Sequence, residues 1–210
     1  MIHLVTPENA HFYRDEMDQA YQLRHKVFVE EMGCKNRARP DRREIDQFDT
    51  KRAVNMLYIE RGEVLGYQRL LPTTHPHVLS EMMPQLCDVE APAGADIWEI
   101  SCHCVARRYR AGGQFSNLVA NALGAGLIEW GLECGITKFV IEVEPAAILP
   151  LIQLHFKPMP LGLPKKIGGK DIIALTLTYD DRTLDRLREM RGTRRRALAT
   201  TMERPAMLHA

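Results

Sequence analysis

The sequence predicts an α/β protein, a mixed, twisted sheet flanked by helices on both faces. Two patterns lead to this fold class. Apolar strand-like segments alternate with helix-like segments along the chain, which is typical of a sheet covered by helices. The apolar segments 53–60 and 63–71 are separated only by Arg61 and Gly62, which indicates an antiparallel hairpin early in the sheet. These patterns do not choose among individual α/β folds.

Composition bounds the size and class of the protein. With 210 residues, 45% of them hydrophobic and 26% charged, the chain suits one domain with a sizeable core. A net charge of +1 gives no general attraction to nucleic acid or membrane. We see no signal peptide and no apolar run approaching the roughly 20 residues of a membrane span. We therefore expect a cytoplasmic domain over 1–192 and a basic, mobile tail over 193–210.

The cysteines are expected to be reduced thiols. There are five of them, an odd number, without a C-x-x-C pair. Cys102 and Cys104 would lie on one face of a strand, but a metal site needs two further ligands, and none stands nearby at a recognisable spacing. We therefore expect no metal.

The first third of the chain contains a strand, a helix and a polar loop. Residues 2–5 are apolar and predict a short strand. Thr6, Pro7 and Glu8 have the order of a helix start, and the helical pattern continues to Gly33, which is suited to a C-terminal stop. Residues 35–49 are polar and predict a loop.

The remainder continues the alternation around a central strand that contains Glu99. The expected elements are one or two helical turns at 78–86, the central strand, a basic glycine loop, a helix at 114–134, a strand at 137–144, a helix at 146–155, a turn-rich stretch at 158–169 and a strand at 171–179. Gly135 is placed to end the long helix. Leu184, Leu187 and Met190 suggest a last, partly amphipathic helix.

Charged residues in predicted regular elements indicate a site. Arg24, Arg69 and Glu99 would be costly to bury without partners. The polar loop at 35–49 ends with three acids, Glu44, Asp46 and Asp49. Brought together, these side chains would balance one another and suit a zwitterionic, cationic substrate such as a sulfonium amino acid. The alternative is a solvated loop face, the usual fate of clustered charges.

A second candidate site is the loop that begins with Arg108 and Arg110 and ends with Gly112 and Gly113. Small residues let backbone N–H groups approach an anion, and the N-terminus of the next helix adds its positive end. The loop approximates the pyrophosphate loop of N-acyltransferases, although Ala111 stands where a glycine is usual. A basic turn without a ligand explains the same residues equally well.

Four blocks of sequence carry a resemblance to a known family. They are Arg-His-Lys-Val-Phe-Val-Glu-Glu-Met-Gly at 24–33, Glu-Ile-Asp-Gln-Phe-Asp at 44–49, Gly-Tyr-Gln-Arg-Leu-Leu-Pro-Thr-Thr at 66–74 and Trp-Glu-Ile-Ser at 98–101. In this order and spacing they resemble the acyl-homoserine-lactone synthases, the autoinducer synthases of bacterial quorum sensing. The resemblance extends from about residue 1 to about residue 180.

The resemblance implies a fold similar to the GCN5-related acetyltransferases and two substrates, S-adenosylmethionine and an acyl thioester, with no tightly bound cofactor. The positions that match the family's S-adenosylmethionine pocket are Arg24, Phe28, Asp46, Asp49, Arg69 and Ser101. Glu99 is our candidate for the base that takes the proton of the substrate amine. The alternative role for Glu99 is an ion pair with an arginine.

Three positions depart from the family pattern. Cys34 occupies a position where the family usually has tryptophan. Met83 replaces a usual phenylalanine, and Cys102 replaces a usual arginine. They leave two other functions open, an N-acetyltransferase acting on another amine and an impaired homologue that binds S-adenosylmethionine.

The acyl chain is expected to lie against an apolar wall. The expected pocket residues are Met83, Val140, Ile141, Val143 and Ile148, although core packing explains them equally well. The acyl donor is acyl-carrier protein or coenzyme A, because the basic loop and the lysines at 157, 165, 166 and 170 suit either one.

Overall fold

A computed structural model describes residues 1–110 and 118–199. In this part of the chain eight strands form the sheet, in the order β1-β2-β3-β4-β5-β8-β6, with β7 paired to β8. The pair β4–β5 is parallel, and the other pairs are antiparallel. The strands are β1 (Ile2–Val5), β2 (Val54–Glu60), β3 (Glu63–Pro72), β4 (Ile97–Val105), β5 (Lys138–Val143), β6 (Lys157–Pro160), β7 (Lys165–Ile167) and β8 (Lys170–Thr178).

Five α-helices cover this sheet in the described residues. They are α1 (Arg14–Arg24), α2 (Val78–Met82), α3 (Leu118–Cys134), α4 (Ile148–Gln153) and α5 (Asp181–Arg191). A π-helical segment, His25–Glu31, continues α1 without a break. The predicted mixed sheet with helices on both faces is therefore confirmed.

The first helix begins later than its sequence signal indicates. Thr6 donates its backbone N–H to the side chain of Asn9 at 2.8 Å, and the Asn9 amide donates to the carbonyl of Leu4 at 2.8 Å. These bonds close a turn, so that α1 starts at Arg14. Asn9 competes for the backbone groups that a helix starting at Pro7 would use.

The two faces of the sheet have separate cores, because side chains alternate along each strand. On the α1 face, covered by α1 and α2, Ala20 packs with Leu57 and Tyr67, and Leu79 packs with Val140. The α3 face carries the larger core, in which α3 and α5 pack against the sheet. Its most buried members include Ile2, Met56, Leu70, Leu123, Phe139 and Leu175.

Two irregularities open the centre of the sheet. Opposite Gln68 on β3, the strand β4 carries two residues, Cys102 and His103, which form a β-bulge with Cys102 at φ 53°. Pairing between β4 and β5 reaches Glu99 and Val140, although both strands continue beyond it. The strands therefore diverge beyond Glu99, and the N–H and C=O groups of β4 that face β5 are left available there.

The segment after α5 packs against the N-terminal strand, which differs from the expected mobile tail over 193–199. Ile2 donates to the carbonyl of Ala197 at 2.9 Å, and Ala199 donates to the carbonyl of Ile2 at 2.8 Å. The carboxylate of Glu129, on α3, accepts the N–H groups of Ala197 at 2.9 Å and Leu198 at 3.1 Å. Residues 200–210 of the expected tail lie outside the described residues.

Within residues 1–110 and 118–199, none of the helices has the length and apolar character that crossing a membrane requires.

We expect Glu129→Leu to lower the free energy of unfolding by about 1–3 kcal/mol, because two buried N–H groups lose their acceptor. The control is Glu133→Leu on the same helix, which removes an exposed pair with Arg196 and should cost about 0.5 kcal/mol or less. Urea denaturation measures both variants, and equal losses would contradict the role assigned to Glu129.

Candidate active site

Arg24, at the end of α1, is the centre of a buried ion-pair network on the α1 face. Its side chain is fully buried. Its Nε donates to Glu44 Oε2 at 2.6 Å, and its two terminal nitrogens donate to the two oxygens of Asp49 at 2.7 and 3.0 Å. Tyr67 adds its hydroxyl at 3.3 Å. Bidentate pairing with hydrogen-bonded acids offsets the cost of burying this charge.

Arg69, on β3, holds the other half of the network and is also fully buried. Its terminal nitrogens donate to Asp46 at 2.6 and 3.0 Å, and one of them also lies 2.9 Å from Asp49 Oδ1. Its Nε donates to Ser101 Oγ at 3.0 Å, which connects the network to β4. Asp49 therefore joins the two arginines.

The acidic loop is folded by its own side chains. Asp46 accepts the N–H of Phe48 at 2.9 Å, and Asp49 accepts the N–H of Asp46 at 2.8 Å. The Phe48 ring is buried with Leu71 and Val78, and the Arg69 guanidinium lies 5.7 Å from its centroid. This turn directs both aspartates toward the arginines.

Asp46 is the acid of the network that reaches solvent. Its side chain is 21% exposed, compared with 2% for Asp49 and 1% for Glu44. Burial acts to raise the pKa of Asp46, but the hydrogen bonds and charge of Arg69 outweigh it, so the pKa lies below its usual value. Asp46 thus offers a stable negative charge to a cation outside the network.

Phe28 and Cys34 form one edge of the site. Phe28 is half-buried in the π-helical segment, with the Arg37 guanidinium 5.3 Å from its ring centroid. The half-buried Cys34 donates its N–H to the carbonyl of Phe28 at 2.9 Å. Arg37 also approaches Glu44 at 3.5 Å, which adds a third arginine to the three acids.

Glu99 is fully buried on β4, and its two oxygens hold the start of α2. Val78 donates its N–H to Oε2 at 2.8 Å, and Leu79 donates to Oε1 at 2.6 Å. Among the described residues Glu99 makes no ion pair with an arginine, so that alternative role is not observed. Burial raises the pKa of Glu99 although these N–H groups act to lower it.

Glu142, on β5, is an acid beside Glu99 that the sequence analysis did not single out. Burial, together with the neighbouring Glu99 charge, raises the pKa of the Glu142 carboxyl group well above its usual value. The available signal was its spacing of two from Val140, which places both side chains on one face of the sheet. The sequence did not show that this is the face of the sheet on which Glu99 lies.

Cys102, which replaces the arginine usual in the family, lies at the bulge between the two arginines. Burial raises the pKa of its thiol, although the charges of Arg24 and Arg69 act to lower it. The substitution removes a cation and leaves the network of Arg24, Arg69 and their acids intact.

The five expected acyl-pocket residues do not lie together. Met83 and Val140 pack on the α1 face. Ile141, Val143 and Ile148 pack against the core of the α3 face. The face on which each side chain lies follows from strand alternation, so three of the expected residues lie across the sheet from the ion-pair network.

The predicted phosphate loop is described in part. Arg108 pairs with Glu63 and Arg110 pairs with Glu31, so both guanidiniums are held by acids of the α1 side. Gly112 and Gly113 lie outside the described residues. A cavity of about 640 Å³ lies beside this loop, lined by Lys26, Glu30, Glu31, Ala106, Arg107 and Arg108.

Comparison with known proteins decides the family. The sequence profile described as "Autoinducer synthase" matches residues 8–187. The chain belongs to the autoinducer synthase family. The expected likeness to the GCN5-related N-acyltransferase fold is also confirmed.

Individual members of this family are similar over most of the chain. An isovaleryl-homoserine lactone synthase of Bradyrhizobium diazoefficiens is 35% identical, covering 91% of this chain and 86% of its own length. The structure of a CoA-dependent acyl-homoserine lactone synthase, BjaI, with SAM and isopentyl-CoA is 34% identical and has a TM-score of 0.87. The match covers 95% of this chain and 92% of the BjaI chain. A second CoA-dependent synthase, MesI, is 31% identical and has a TM-score of 0.84. The match covers 95% of this chain and 99% of the MesI chain.

The protein is therefore an enzyme, an acyltransferase of the acyl-homoserine-lactone synthase class that acts in quorum sensing. Its ion-pair network and Glu99 occupy the positions where the sequence blocks resemble this family.

Removing Arg24 tests the ion-pair network. We expect Arg24→Met to lower the free energy of unfolding by about 3–5 kcal/mol, because the buried Glu44 and Asp49 would each lose their shortest ion pair. Arg37→Met is the matched control, since Arg37 contacts the same Glu44 from a side chain that is 35% exposed. It should cost about 1 kcal/mol or less. Urea denaturation distinguishes the two, and a small loss for Arg24→Met would contradict its role as the centre of the buried network.

Proposed function

We propose that this enzyme makes an acyl-homoserine lactone from S-adenosylmethionine and an acyl thioester of coenzyme A, in the cytoplasm. The observation that carries the proposal is the juxtaposition, on one face of the sheet, of an anionic site at Asp46 and a buried carboxyl at Glu99. The point where β4 and β5 diverge lies at Glu99. A cationic amino acid and an acyl donor can meet there.

S-adenosylmethionine carries a sulfonium and an ammonium group, and Asp46 supplies the exposed negative charge that attracts them. Arg24, Arg69 and Asp49 are buried and act by holding Asp46 and the loop in position. Phe28 offers a half-buried aromatic face, which favours a neighbouring cation or a planar ring. Ser101 joins this pocket to β4 through Arg69.

The first reaction step is acyl transfer to the α-amino group. A free α-amino group has a pKa of about 7.7–8.0, so a carboxylate near it has a modest task. Glu99 takes one proton of the ammonium group, directly or through a water. The amine nitrogen then attacks the thioester carbonyl, and N–H groups of β4 beyond Glu99 can stabilise the oxyanion. The C–S bond breaks, the thiolate takes the second proton of the nitrogen, and an amide remains.

The second step needs little from the protein. The carboxylate of the methionyl chain attacks its own γ-carbon, and the sulfonium leaves as methylthioadenosine. The pocket contributes by holding the chain in a ring-forming conformation, which removes an entropic cost.

Coenzyme A is the favoured donor for two reasons. Two of the similar structures described above are called CoA-dependent, and one of them was solved with isopentyl-CoA. In addition, three cations line the cavity beside residues 106–108, namely Lys26, Arg107 and Arg108, and side chains of this kind bind phosphates; Glu30 and Glu31 line the same cavity. The relative that makes isovaleryl-homoserine lactone points to a short branched acyl group.

A donor panel tests this proposal. The enzyme is incubated with S-adenosylmethionine and an isovaleryl group on coenzyme A or on acyl-carrier protein, and both thiol release and lactone mass are followed. We expect lactone from both donors or from the CoA thioester alone, with kcat/KM at least about tenfold higher for the CoA thioester, a difference of ~1.4 kcal/mol in transition-state binding. Preference for the carrier protein would contradict the donor assignment.

The same assay separates the other candidate functions. Thiol release with other amines but not with S-adenosylmethionine would indicate an N-acetyltransferase. Binding of S-adenosylmethionine without thiol release from any donor would indicate an impaired homologue.

Glu99→Gln tests the base. Glutamine keeps an acceptor for α2 but cannot take a proton, so kcat/KM should fall by about 10²–10⁴-fold. The control is Glu144→Gln, an exposed residue that pairs with Lys170 and should leave the rate unchanged. A Glu99→Gln enzyme with wild-type rates would remove Glu99 from this role.

A further inference from the structure

Glu142 lies where the sheet opens. Its partner across β8 is Ala174, and it stands two residues beyond Val140, the last residue of β5 that pairs with β4. Glu99, the partner of Val140, and Glu142 therefore point to the same face at the position where the two strands diverge. Glu142 is half-buried as a residue, but its Oε1 has no contact with solvent.

The two carboxyl groups need a shared proton. Each carboxyl group acts on the pKa of the other, and the buried Oε1 of Glu142 accepts no N–H or O–H group from the described residues. Two buried carboxylates in contact would repel each other, whereas one proton between them supplies a hydrogen bond. Both oxygens of Glu99 accept N–H groups, from Val78 and Leu79, whereas Oε1 of Glu142 accepts none from the described residues, so Glu142 is the group that keeps the proton.

The surroundings leave this arrangement undisturbed. Glu99 is faced by the N–H groups of Val78 and Leu79 and by His77, and all three act to lower the pKa of Glu99. Glu142 is faced by Cys87, a thiol whose pKa burial raises, and by the uncharged Ala174 on β8. The nearby lysine of this region, Lys165, pairs with Asp88 and bonds to the Gln85 carbonyl.

Counting hydrogen bonds shows what Glu142 contributes. A carboxylate has about four lone-pair positions. Val78 and Leu79 occupy two of those on Glu99. A proton on Glu142 would fill a third and leave one position for an incoming N–H group.

We propose that Glu142, in its protonated form, is a positioning residue for the reaction, which donates to the Glu99 carboxylate, keeps it ionised and directs its free lone pair toward the substrate amine. This inference rests on the proposed role of Glu99 as the base. During turnover the amine proton passes to Glu99 and Glu142 keeps its own, so both carboxyls are briefly neutral. Glu142 contacts no substrate and loses no proton in the cycle.

Two variants of Glu142 separate donation from mere packing. Glu142→Gln keeps an N–H donor, whereas Glu142→Leu has similar size and no donor. We expect Glu142→Gln to retain kcat/KM within about threefold and to keep the acid limb of the pH profile, because the hydrogen bond is preserved. In Glu142→Leu the lost donor favours protonated Glu99, which raises its pKa. The acid limb should then move up by about one to two pH units, with at least about tenfold lower kcat/KM at neutral pH.

A spectroscopic measurement tests the same proposal without turnover. The infrared C=O band of a neutral carboxylic acid should be present at neutral pH in the wild type and absent in Glu142→Gln, which keeps the donor but has no proton to hold. Absence of this band in the wild type would overturn the proposal. So would an unmoved acid limb in Glu142→Leu, or Glu142→Gln being as impaired as Glu142→Leu.

Failure of this inference can be distinguished from failure of the proposed function. If Glu99→Gln slows lactone synthesis while Glu142→Leu behaves as wild type, Glu99 stands as the base and the inference about Glu142 fails alone. If Glu99→Gln has wild-type rates, the base is wrongly assigned, whatever the Glu142 variants do.

Discussion

The burial of two arginine side chains is the constraint on which this site depends. Arg24 and Arg69 have no exposed side-chain area, and a buried guanidinium is stable only with well-placed anionic partners. The loop at 44–49 supplies those partners, so its position on α1 and β3 follows from electrostatic need. Asp46 completes the network and still reaches solvent. A structural ion-pair network thereby presents one charge of defined geometry to a cationic substrate.

The divergence of β4 and β5 connects this anionic site to the acyl-transfer chemistry. Regular pairing beyond Glu99 would close the sheet and consume the N–H groups of β4 that face β5. The bulge at Cys102 and His103 bends β4 at the same place, while Ser101 remains bonded to Arg69. One interruption of the sheet therefore places backbone donors, the Glu99–Glu142 carboxyl pair and the ion-pair network within a short stretch of two strands.

The departures from the family pattern lie around the network and do not interrupt it. Cys34 and Met83 reduce aromatic surface at the edge of the site, and Cys102 replaces a cation by a buried thiol with a raised pKa. The charges that hold Asp46 come from Arg24 and Arg69, which are both retained. The altered positions are therefore suited to changing how a substrate is gripped rather than whether the chemistry takes place.

The sequence by itself determined the family, the mixed sheet, most of the strands and the residues of the ion-pair network, because strand periodicity and the four family blocks are local features of the chain. Tertiary structure decided which acid pairs with which arginine, that Glu99 caps α2 and pairs with Glu142, and that Ala197 and Leu198 bind Glu129. It also decided that Val140 lies on one face of the sheet and that Ile141 and Val143 lie on the other. Charge partners and sheet faces depend on residues distant in sequence, and a shift of one residue along a strand reverses the face.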